Sequence, residues 1–152
     1  MSSDVSVVVR PASLDDIDVL LKIERECFEH PYDRSIFESI LCASSCQVLF
    51  AELFGSAVGY IAFNKQGRVG TILSVAVLER FRRRGVGRYL MRQAISRLRE
   101  AGVRRIVLQV SVKNVAARRL YESMGFRAAM LLRGYYRGEE DAILYSLHLP
   151  IH

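Results

Sequence analysis

A short run of arginines and glycines, Arg82–Gly87, places the strongest constraint on how this chain can fold. It comes shortly after the apolar run Val69–Val77, which predicts a buried strand, and it leads into residues whose apolar spacing predicts an amphipathic helix. That helix is predicted to begin near Gly87, and Gly102 stands where a C-terminal capping glycine belongs. A strand that passes through a basic loop into a helix indicates a mixed α/β fold.

The start of this helix has the chemistry of a diphosphate site. The first amides of a helix have no partner within it, and the helix dipole adds positive potential there. Gly85 and Gly87 let backbone amides approach phosphate oxygens without hindrance from a Cβ atom. Four arginines supply charge-assisted contacts around the same point: Arg82, Arg83, Arg84 and Arg88. Neither the Walker pattern nor the third glycine of the dinucleotide pattern is present. The alternative to a diphosphate site is a solvated basic loop.

The whole sequence alternates strand and helix signals in the order βααβββαβαββ. Strands are predicted at Val5–Arg10, Val48–Leu53, Ala57–Asn64, Val69–Val77, Arg105–Val110, Arg127–Leu132 and Ala142–Leu149. Helices are predicted from the capping box Ser13–Asp16 through about Phe28, at Arg34–Ala43, from about Gly87 to Ala101, and at Val115–Met124. Short turns separate the second, third and fourth strands, which predicts antiparallel hairpins. The expected fold is a mixed α/β (α+β) sheet with flanking helices.

Composition limits the classes of protein that this chain can belong to. With 152 residues, of which 51% are hydrophobic and 25% charged, the chain is expected to form one globular domain over residues 1–152. Three cysteines and three scattered histidines suggest neither a disulfide framework nor a zinc site, so no metal is expected. No apolar run approaches the length of a membrane span and no secretory signal pattern is seen, so the expected location is cytoplasmic.

The net charge of +6, with six arginines within Arg80–Arg92, indicates an anionic ligand. A nucleic-acid binder is one interpretation. However, no series of aromatic residues alternates with these arginines, and no helix-turn-helix or RNP-like pattern is found. A diphosphate at the start of the helix therefore remains the favoured anion.

Four segments resemble a known family: Ser74–Val77, the pattern Arg82-x-x-Gly85-x-Gly87, Leu108–Phe126 and Arg133–Leu144. In order and spacing they resemble the Gcn5-related N-acetyltransferase (GNAT) superfamily, and they are similar to its RimI and archaeal Ard1 branch, which acetylates protein N-termini. The resemblance extends from about Val7 to Leu149. It implies the GNAT fold, a mixed and mostly antiparallel central sheet of about seven strands flanked by about four helices.

The resemblance implies acetyl-CoA as the cosubstrate. In such proteins the backbone equivalent to Val75, Ala76 and Val77 binds the pantetheine arm, and the amide at Val77 polarises the thioester carbonyl as an oxyanion hole does. The implied cofactor contacts elsewhere are Arg82, Arg83, Arg84, Gly85, Val86, Gly87, Arg88, Asn114 and Tyr121. From the sequence alone, the strand residues are also expected core residues, and Asn114 is also a favoured helix N-cap.

By the same resemblance, Tyr121 is the general acid that protonates the leaving CoA thiolate in a ternary complex. A tyrosine on an amphipathic helix is otherwise expected in the core. Gln109 stands where RimI-like relatives usually carry a glutamate base, or a histidine in some eukaryotic relatives, and glutamine cannot accept a proton near pH 7. Glu29, ahead of His30, is the candidate replacement base. The alternative for both residues is a solvated helix end.

The acceptor amine is implied to lie against Glu29, Tyr32, Tyr135 and Tyr136, with Asp141 fixing the loop between the last two strands. An α-amino group, with a pKa near 7.7–8.0, is roughly one-tenth neutral at pH 7, whereas a lysine near 10.4 is neutral less than about one time in a thousand. A weak base therefore favours protein N-termini as acceptors. The alternatives are a lysine, polyamine or small-amine acetyltransferase, and a CoA-binding module without catalysis.

The partners implied are protein N-termini, among them ribosomal proteins or nascent chains. Nucleic acid is expected only indirectly, through the ribosome, and no membrane partner is expected. The chain is expected to be a monomer or a weak dimer.

Overall fold

The structure, a computed structural model, describes residues 6–136 and 140–150, and the side chains of Tyr135 and Tyr136 lie outside the described set. Within these ranges there are seven strands: β1 Val8–Pro11, β2 Cys46–Leu53, β3 Ser56–Gln66, β4 Val69–Val77, β5 Arg105–Ser111, β6 Arg127–Tyr136 and β7 Glu140–His148. The helices are α1 Ile17–Cys27, α2 Arg34–Cys42, α3 Val86–Glu100 and α4 Val115–Ser123, with 3₁₀ turns at Leu14–Asp16 and Glu79–Phe81. The predicted element order is confirmed.

Two predicted strand limits were wrong by more than two residues. β1 begins three residues later than the predicted Val5–Arg10 and ends on Pro11, whose missing N–H an edge strand tolerates. β6 was predicted to stop at Leu132 but continues to Tyr136, because Gly134 has a φ of 60° and the pairing with β7 shifts register at this point. The other limits shift by one or two residues, which is the normal scatter at element ends.

The strands hydrogen-bond in the order β1-β2-β3-β4-β5-β7-β6. The β1–β2, β2–β3, β5–β7 and β6–β7 pairs are antiparallel. β4 and β5 are parallel, and α3 supplies the crossover that parallel neighbours require. The predicted GNAT fold, a mixed and mostly antiparallel seven-stranded sheet with four helices, is confirmed. Across residues 6–136 and 140–150, no helix combines the length and apolar character that crossing a bilayer requires.

The chain up to Asn64, together with Leu73–Ser96, forms one compact unit. Its core is built from one face of α1, the α2 residue Phe37 and the inward residues of the strands. The buried members are Ile17, Leu20, Leu21, Ile23, Phe37, Val48, Phe50, Tyr60, Ala62, Ala76 and Leu78. Phe37 meets Tyr32 and Tyr60 edge-to-face, each with ring centroids 5.7 Å apart, a favourable arrangement for aromatic rings.

The 3₁₀ turn Leu14–Asp16, which leads into α1, is fixed by a capping box and by charge. The Asp16 carboxylate accepts from the Ser13 amide at 2.8 Å, which confirms the predicted capping box. Arg10 Nη2 also contacts Asp16 Oδ1 at 3.0 Å, and Arg10 Nε contacts Glu52 Oε2 at 2.8 Å. The hydrogen bond from Arg10 lowers the pKa of Asp16. These contacts tie β1 and the beginning of α1 to β2.

Lys65–Ile72, together with the chain from Arg97 onward, forms a second compact unit. Tyr145 on β7 is fully buried in its core. The Tyr145 hydroxyl donates to Glu122 Oε2 at 2.6 Å and accepts from Arg118 Nε at 3.3 Å. Burial raises the pKa of Tyr145. Because both partners belong to α4, this hydroxyl fixes α4 against β7.

Gly59 on β3 allows a close approach to β4 within the first unit. A Cβ atom at this position would lie 2.6 Å from the Ala76 carbonyl oxygen and 3.3 Å from the Val77 Cα. Both neighbours are backbone atoms, which cannot move aside as a flexible side chain does. Gly59 therefore sets how near β3 lies to the last residues of β4.

We predict that Gly59→Ala lowers the free energy of unfolding by about 1–3 kcal/mol, because the new methyl group overpacks against backbone. Urea unfolding measures the loss. The damage should also be local, with faster hydrogen exchange at the Leu78 amide, which donates to the Val58 carbonyl at 2.9 Å. Gly67→Ala is the control for a general loss of stability, because alanine is strained at its φ of 62° while the added Cβ has no atom within 4 Å. Equal Leu78 exchange in the two variants would contradict the prediction.

Candidate active site

The loop before α3 has an irregular backbone. Arg83 has a φ of 64° and Gly85 a φ of 80°, so both adopt left-handed conformations. The first hydrogen bond of the helix runs from the Tyr89 amide to the Gly85 carbonyl at 2.9 Å. The amides of the first helical turn have no intrahelical partner. A left-handed arginine is uncommon, and it occurs here two residues before a left-handed glycine in the loop predicted to bind a diphosphate.

The arginines of this loop have different surroundings. Arg80 and Arg84 lie over the Phe81 ring, with guanidinium carbons 5.1 and 5.7 Å from its centroid. Arg82, Arg83 and Arg84 are all exposed. Positive charge and amides without intrahelical partners therefore occur together at one helix N-terminus, a donor set that fits a diphosphate.

Arg82 has a structural contact that its predicted role does not include. Its Nε donates to the Val77 carbonyl oxygen at 2.8 Å. The Cys27 thiol donates to the same oxygen at 3.4 Å, and burial raises the pKa of this thiol. Arg82 thus joins the loop to the end of β4. The sequence predicted only a diphosphate contact for it.

The last residues of β4 contribute side chains to the core, and their backbone is the part predicted to bind the pantetheine arm. Ala76 is buried in the core of the first unit, and Val75 and Val77 are half-buried. This confirms the interpretation of Ala76 as a core residue. The role of the Val77 amide toward a thioester stays a prediction.

The connection between α1 and α2 contains exposed and anchored residues. The Glu29 side chain is 87% exposed, and its Oε1 lies 4.0 Å from His30 Nε2. Tyr32 is half-buried: its amide donates to Glu24 Oε2 at 2.9 Å and its hydroxyl donates to the Leu73 carbonyl at 3.1 Å. Tyr32 therefore has a fixed position beside β4, whereas the Glu29 carboxylate is accessible to solvent.

Sequence reasoning missed Glu24, which is 2% exposed. A signal was present, because the apolar stripe of α1 contains Ile17, Leu20, Leu21 and Phe28. Position 24 falls on the same face at helical spacing. A carboxylate at a core position requires partners, and the structure supplies them from Tyr32 and Tyr60.

The second unit contains three further residues predicted to belong to the site, Gln109, Asn114 and Tyr121. Gln109 is exposed on β5 between the buried Leu108 and Val110, so its side chain lies on the opposite face of that strand. Asn114 caps α4, with its Oδ1 accepting from the Ala117 amide at 3.1 Å, which confirms its interpretation as an N-cap. A contact from Asn114 to pantetheine stays a prediction.

Tyr121 is 7% exposed on α4. Its ring lies beside those of Phe126 and Tyr145, with centroids 6.1 and 6.4 Å apart. The ring of Tyr121 therefore belongs to the core, as the alternative interpretation of this residue predicted. A catalytic role depends on the hydroxyl alone, and it stays a prediction.

Two acidic residues at the start of β7 contact the neighbouring strands β5 and β6. Asp141 Oδ1 accepts from the Gly134 amide at 2.9 Å, so Asp141 holds β6 near its end. Its predicted role in fixing the loop between the last two strands stays a prediction. Ser111 Oγ donates to Glu140 Oε2 at 2.7 Å. The predicted substrate contacts of the Tyr135 and Tyr136 side chains lie outside the described residues.

In the described part of the chain, no group of three or more His, Cys, Asp or Glu side chains is arranged to hold a metal ion. Cys27, Cys42 and Cys46 are free thiols.

Comparisons with known proteins agree with this fold and loop. Residues 17–126 match the family model described as Acetyltransferase (GNAT) family. The N-alpha-acetyltransferase of Sulfurisphaera tokodaii is 32% identical over 154 residues, covering 93% of this chain and 92% of the relative.

Two crystal structures are similar over nearly the full length. The ribosomal-protein-S18-alanine N-acetyltransferase from Escherichia coli has a TM-score of 0.90 and 27% identity, covering 96% of each chain. Ard1 from Thermoplasma volcanium has a TM-score of 0.89 and 29% identity, covering 97% of this chain and all of that one, 100%.

The fold and the loop at the start of α3 thus define an acetyl-CoA-dependent N-acetyltransferase. The chain belongs to the GNAT family of acetyltransferases. The predicted resemblance to the RimI and archaeal Ard1 branch is confirmed by its N-alpha-acetyltransferase relatives and by the structures of the S18-alanine enzyme and Ard1.

We predict that Gly85→Ala weakens acetyl-CoA binding about tenfold or more. Alanine is strained in the left-handed conformation of Gly85, so the loop shifts and its amides lose charge-assisted hydrogen bonds to the diphosphate. Calorimetric titration measures the affinity. Gly102→Ala is a matched control at the other end of α3: both glycines have positive φ, 80° and 91°, and neither added Cβ meets an atom within 4 Å. Both variants should lose similar stability. Equal CoA affinities would contradict a role for the loop in binding.

Proposed function

We propose that this protein transfers the acetyl group of acetyl-CoA to the N-terminal α-amine of proteins, by direct attack of the amine within a ternary complex. The observation that supports it most is the basic loop with left-handed Arg83 and Gly85 at the start of α3, joined to the end of β4 through the contact of Arg82 with Val77. The relative named N-alpha-acetyltransferase and the S18-alanine enzyme support the choice of acceptor.

The loop residues recognise the diphosphate of acetyl-CoA. The amides of the first turn of α3 and the guanidinium groups of Arg83, Arg84 and Arg88 complement its negative charge. The backbone of Val75–Val77 runs beside the pantetheine arm as an added strand does. The Val77 amide donates to the thioester oxygen, where negative charge develops during attack.

The reaction requires two proton movements. The amine nitrogen attacks the thioester carbonyl carbon, the carbon–sulfur bond breaks, and the CoA sulfur takes a proton from the Tyr121 hydroxyl. The amine nitrogen gives up one proton. Gln109 orients the amine or a water molecule but cannot take that proton, and the exposed Glu29 carboxylate receives it.

An α-amine needs less help from a base than a lysine does. Its pKa near 7.7–8.0 leaves roughly one-tenth of the molecules neutral at pH 7, whereas lysine at about 10.4 is almost fully charged. The combination of Gln109 with an accessible Glu29 therefore suits N-terminal acceptors. Protein N-termini, including those of ribosomal proteins or nascent chains, are the proposed partners, and the cytoplasm is the proposed location.

A peptide panel tests the acceptor class. Peptides beginning with Ser, Ala, Met and Met-Leu are offered with acetyl-CoA, each with a free or a chemically blocked N-terminus and with one internal lysine. Release of free CoA thiol and mass spectrometry of the peptide measure transfer. We expect acetylation of the free N-termini only. Acetylation of blocked peptides at lysine would exclude an α-amine specificity, and absence of thiol release would exclude catalysis.

We predict that Tyr121→Phe lowers kcat about ten- to a thousandfold, because the leaving sulfur loses its proton donor. The phenylalanine ring keeps the packing against Phe126 and Tyr145, so the free energy of unfolding should fall by no more than about 1.5 kcal/mol. Steady-state kinetics and urea unfolding measure the two effects separately. A variant with wild-type kcat would remove Tyr121 from the chemistry.

We predict opposite effects of substitutions at Gln109 and at the candidate base Glu29. Gln109→Glu should keep or raise kcat/KM near pH 7, because it restores a carboxylate on β5, whereas Glu29→Gln should lower it. The pH dependence of kcat/KM measures both variants. Glu38→Gln, an exposed carboxylate on α2, controls for loss of charge. If Glu29→Gln alters neither the rate nor the apparent pKa of the profile, Glu29 is not the base.

A further inference from the structure

Glu24 is a carboxylate placed where a helix normally presents an apolar side chain to the core. It lies on the buried face of α1 between Ile23 and the half-buried Cys27, and it is 2% exposed. Burial raises the pKa of Glu24. A buried carboxyl group is costly unless its oxygens are hydrogen-bonded, so its partners indicate what it does.

Both carboxylate oxygens have donors from other segments of the first unit. Oε2 accepts from the Tyr32 amide at 2.9 Å, and Oε1 accepts from the Tyr60 hydroxyl. The Tyr60 oxygen lies 2.8 Å from Ser74 Oγ. Glu24 is therefore the centre of a buried chain of polar groups that joins the α1–α2 connection, β3 and β4.

The α1–α2 connection reaches β4 by a second route. The Tyr32 hydroxyl donates to the Leu73 carbonyl at 3.1 Å. Tyr32 is thus linked to two adjacent residues of β4: Leu73 directly, and Ser74 through Glu24 and Tyr60. The next residue along the strand is Val75, which begins the segment proposed to hold the thioester.

Stability alone does not explain a carboxylate at this position. Replacing buried polar networks by well-packed apolar groups is often neutral or stabilising. A leucine at position 24 would continue the apolar stripe of α1, but it has no acceptor for the Tyr32 amide. The particular effect of the carboxylate is to hold one backbone amide at a fixed place.

We propose that Glu24 is a positioning residue for the acyl acceptor, holding the connection that contains Glu29 and Tyr32 in place beside β4. It acts through Tyr32 and through the Tyr60–Ser74 contact, and it has no direct role in the chemistry. This inference rests on the proposed function, in which Glu29 and Tyr32 contact the acceptor peptide.

Two substitutions at position 24 separate positioning from charge. Glu24→Gln removes the charge but keeps the contacts. The glutamine Oε1 accepts from the Tyr32 amide, and its Nε2 donates to the Tyr60 oxygen. The Tyr60 hydroxyl then donates its hydrogen bond to Ser74. Glu24→Leu keeps a side chain of similar size but removes every hydrogen bond of the carboxylate. Glu26→Gln, an exposed carboxylate on the same helix, is the control for charge.

We expect Glu24→Leu to raise the KM for the peptide about ten- to a hundredfold, the effect of losing hydrogen bonds to a buried acceptor. Its KM for acetyl-CoA should change less than about twofold, because the loop at α3 is untouched. Glu24→Gln and Glu26→Gln should keep the peptide KM within about threefold of wild type. A uniform structural loss would move both substrates together, so the split between them identifies positioning.

Three results would overturn the proposal: an unchanged peptide KM in Glu24→Leu, parallel increases for both substrates, or equal damage from Gln and Leu. If the wild-type protein acetylates no peptide, the proposed function fails, and hydrogen exchange at the Tyr32 amide then decides the inference alone. Exchange about tenfold faster in Glu24→Leu but not in Glu24→Gln supports the positioning role. Equal exchange in all three proteins refutes it.

Discussion

The Val77 carbonyl oxygen joins three parts of the first unit. It accepts from Arg82, in the basic loop, and from Cys27, at the end of α1. These two donors hold the last residue of β4 against a helix and against the loop that leads into α3. On the other side, Gly59 keeps β3 close to the same residues. The position of the α3 N-terminus, and hence of any anion bound there, depends on how this strand end is fixed.

The sequence predicted the order of the strands and α-helices because each has a strong local pattern. The apolar stripe of α1, the Asn114 cap and the Ser13–Asp16 box all depend on neighbours a few residues apart. Predictions failed where a strand depends on pairing. β6 passes through Gly134 because it has β7 as a partner, whereas a glycine by itself indicates an end or a turn.

The basic loop could be predicted for the same reason: its glycines, its arginines and the helix that follows are contiguous. The network of Glu24 could not, because its partners Tyr60 and Ser74 are distant in sequence from α1. Periodicity marked position 24 as buried but did not identify a donor. The contact of Arg82 with Val77 was missed because the sequence assigned that arginine to solvent or to phosphate, and backbone carbonyls leave no sequence signal.

The chemistry of the acceptor explains how positioning and proton transfer can be divided among these residues. An amine that is already partly neutral at pH 7 needs a base only to remove the proton released on attack, and an exposed carboxylate or water suffices for that. The rate then depends more on how closely the nitrogen is held to the thioester carbon. Under the proposed function, a solvent-exposed Glu29 and a glutamine at position 109 are compatible with catalysis only if the acceptor is rigidly placed. The buried carboxylate of Glu24 supplies that rigidity through Tyr32, without taking any proton from the substrate.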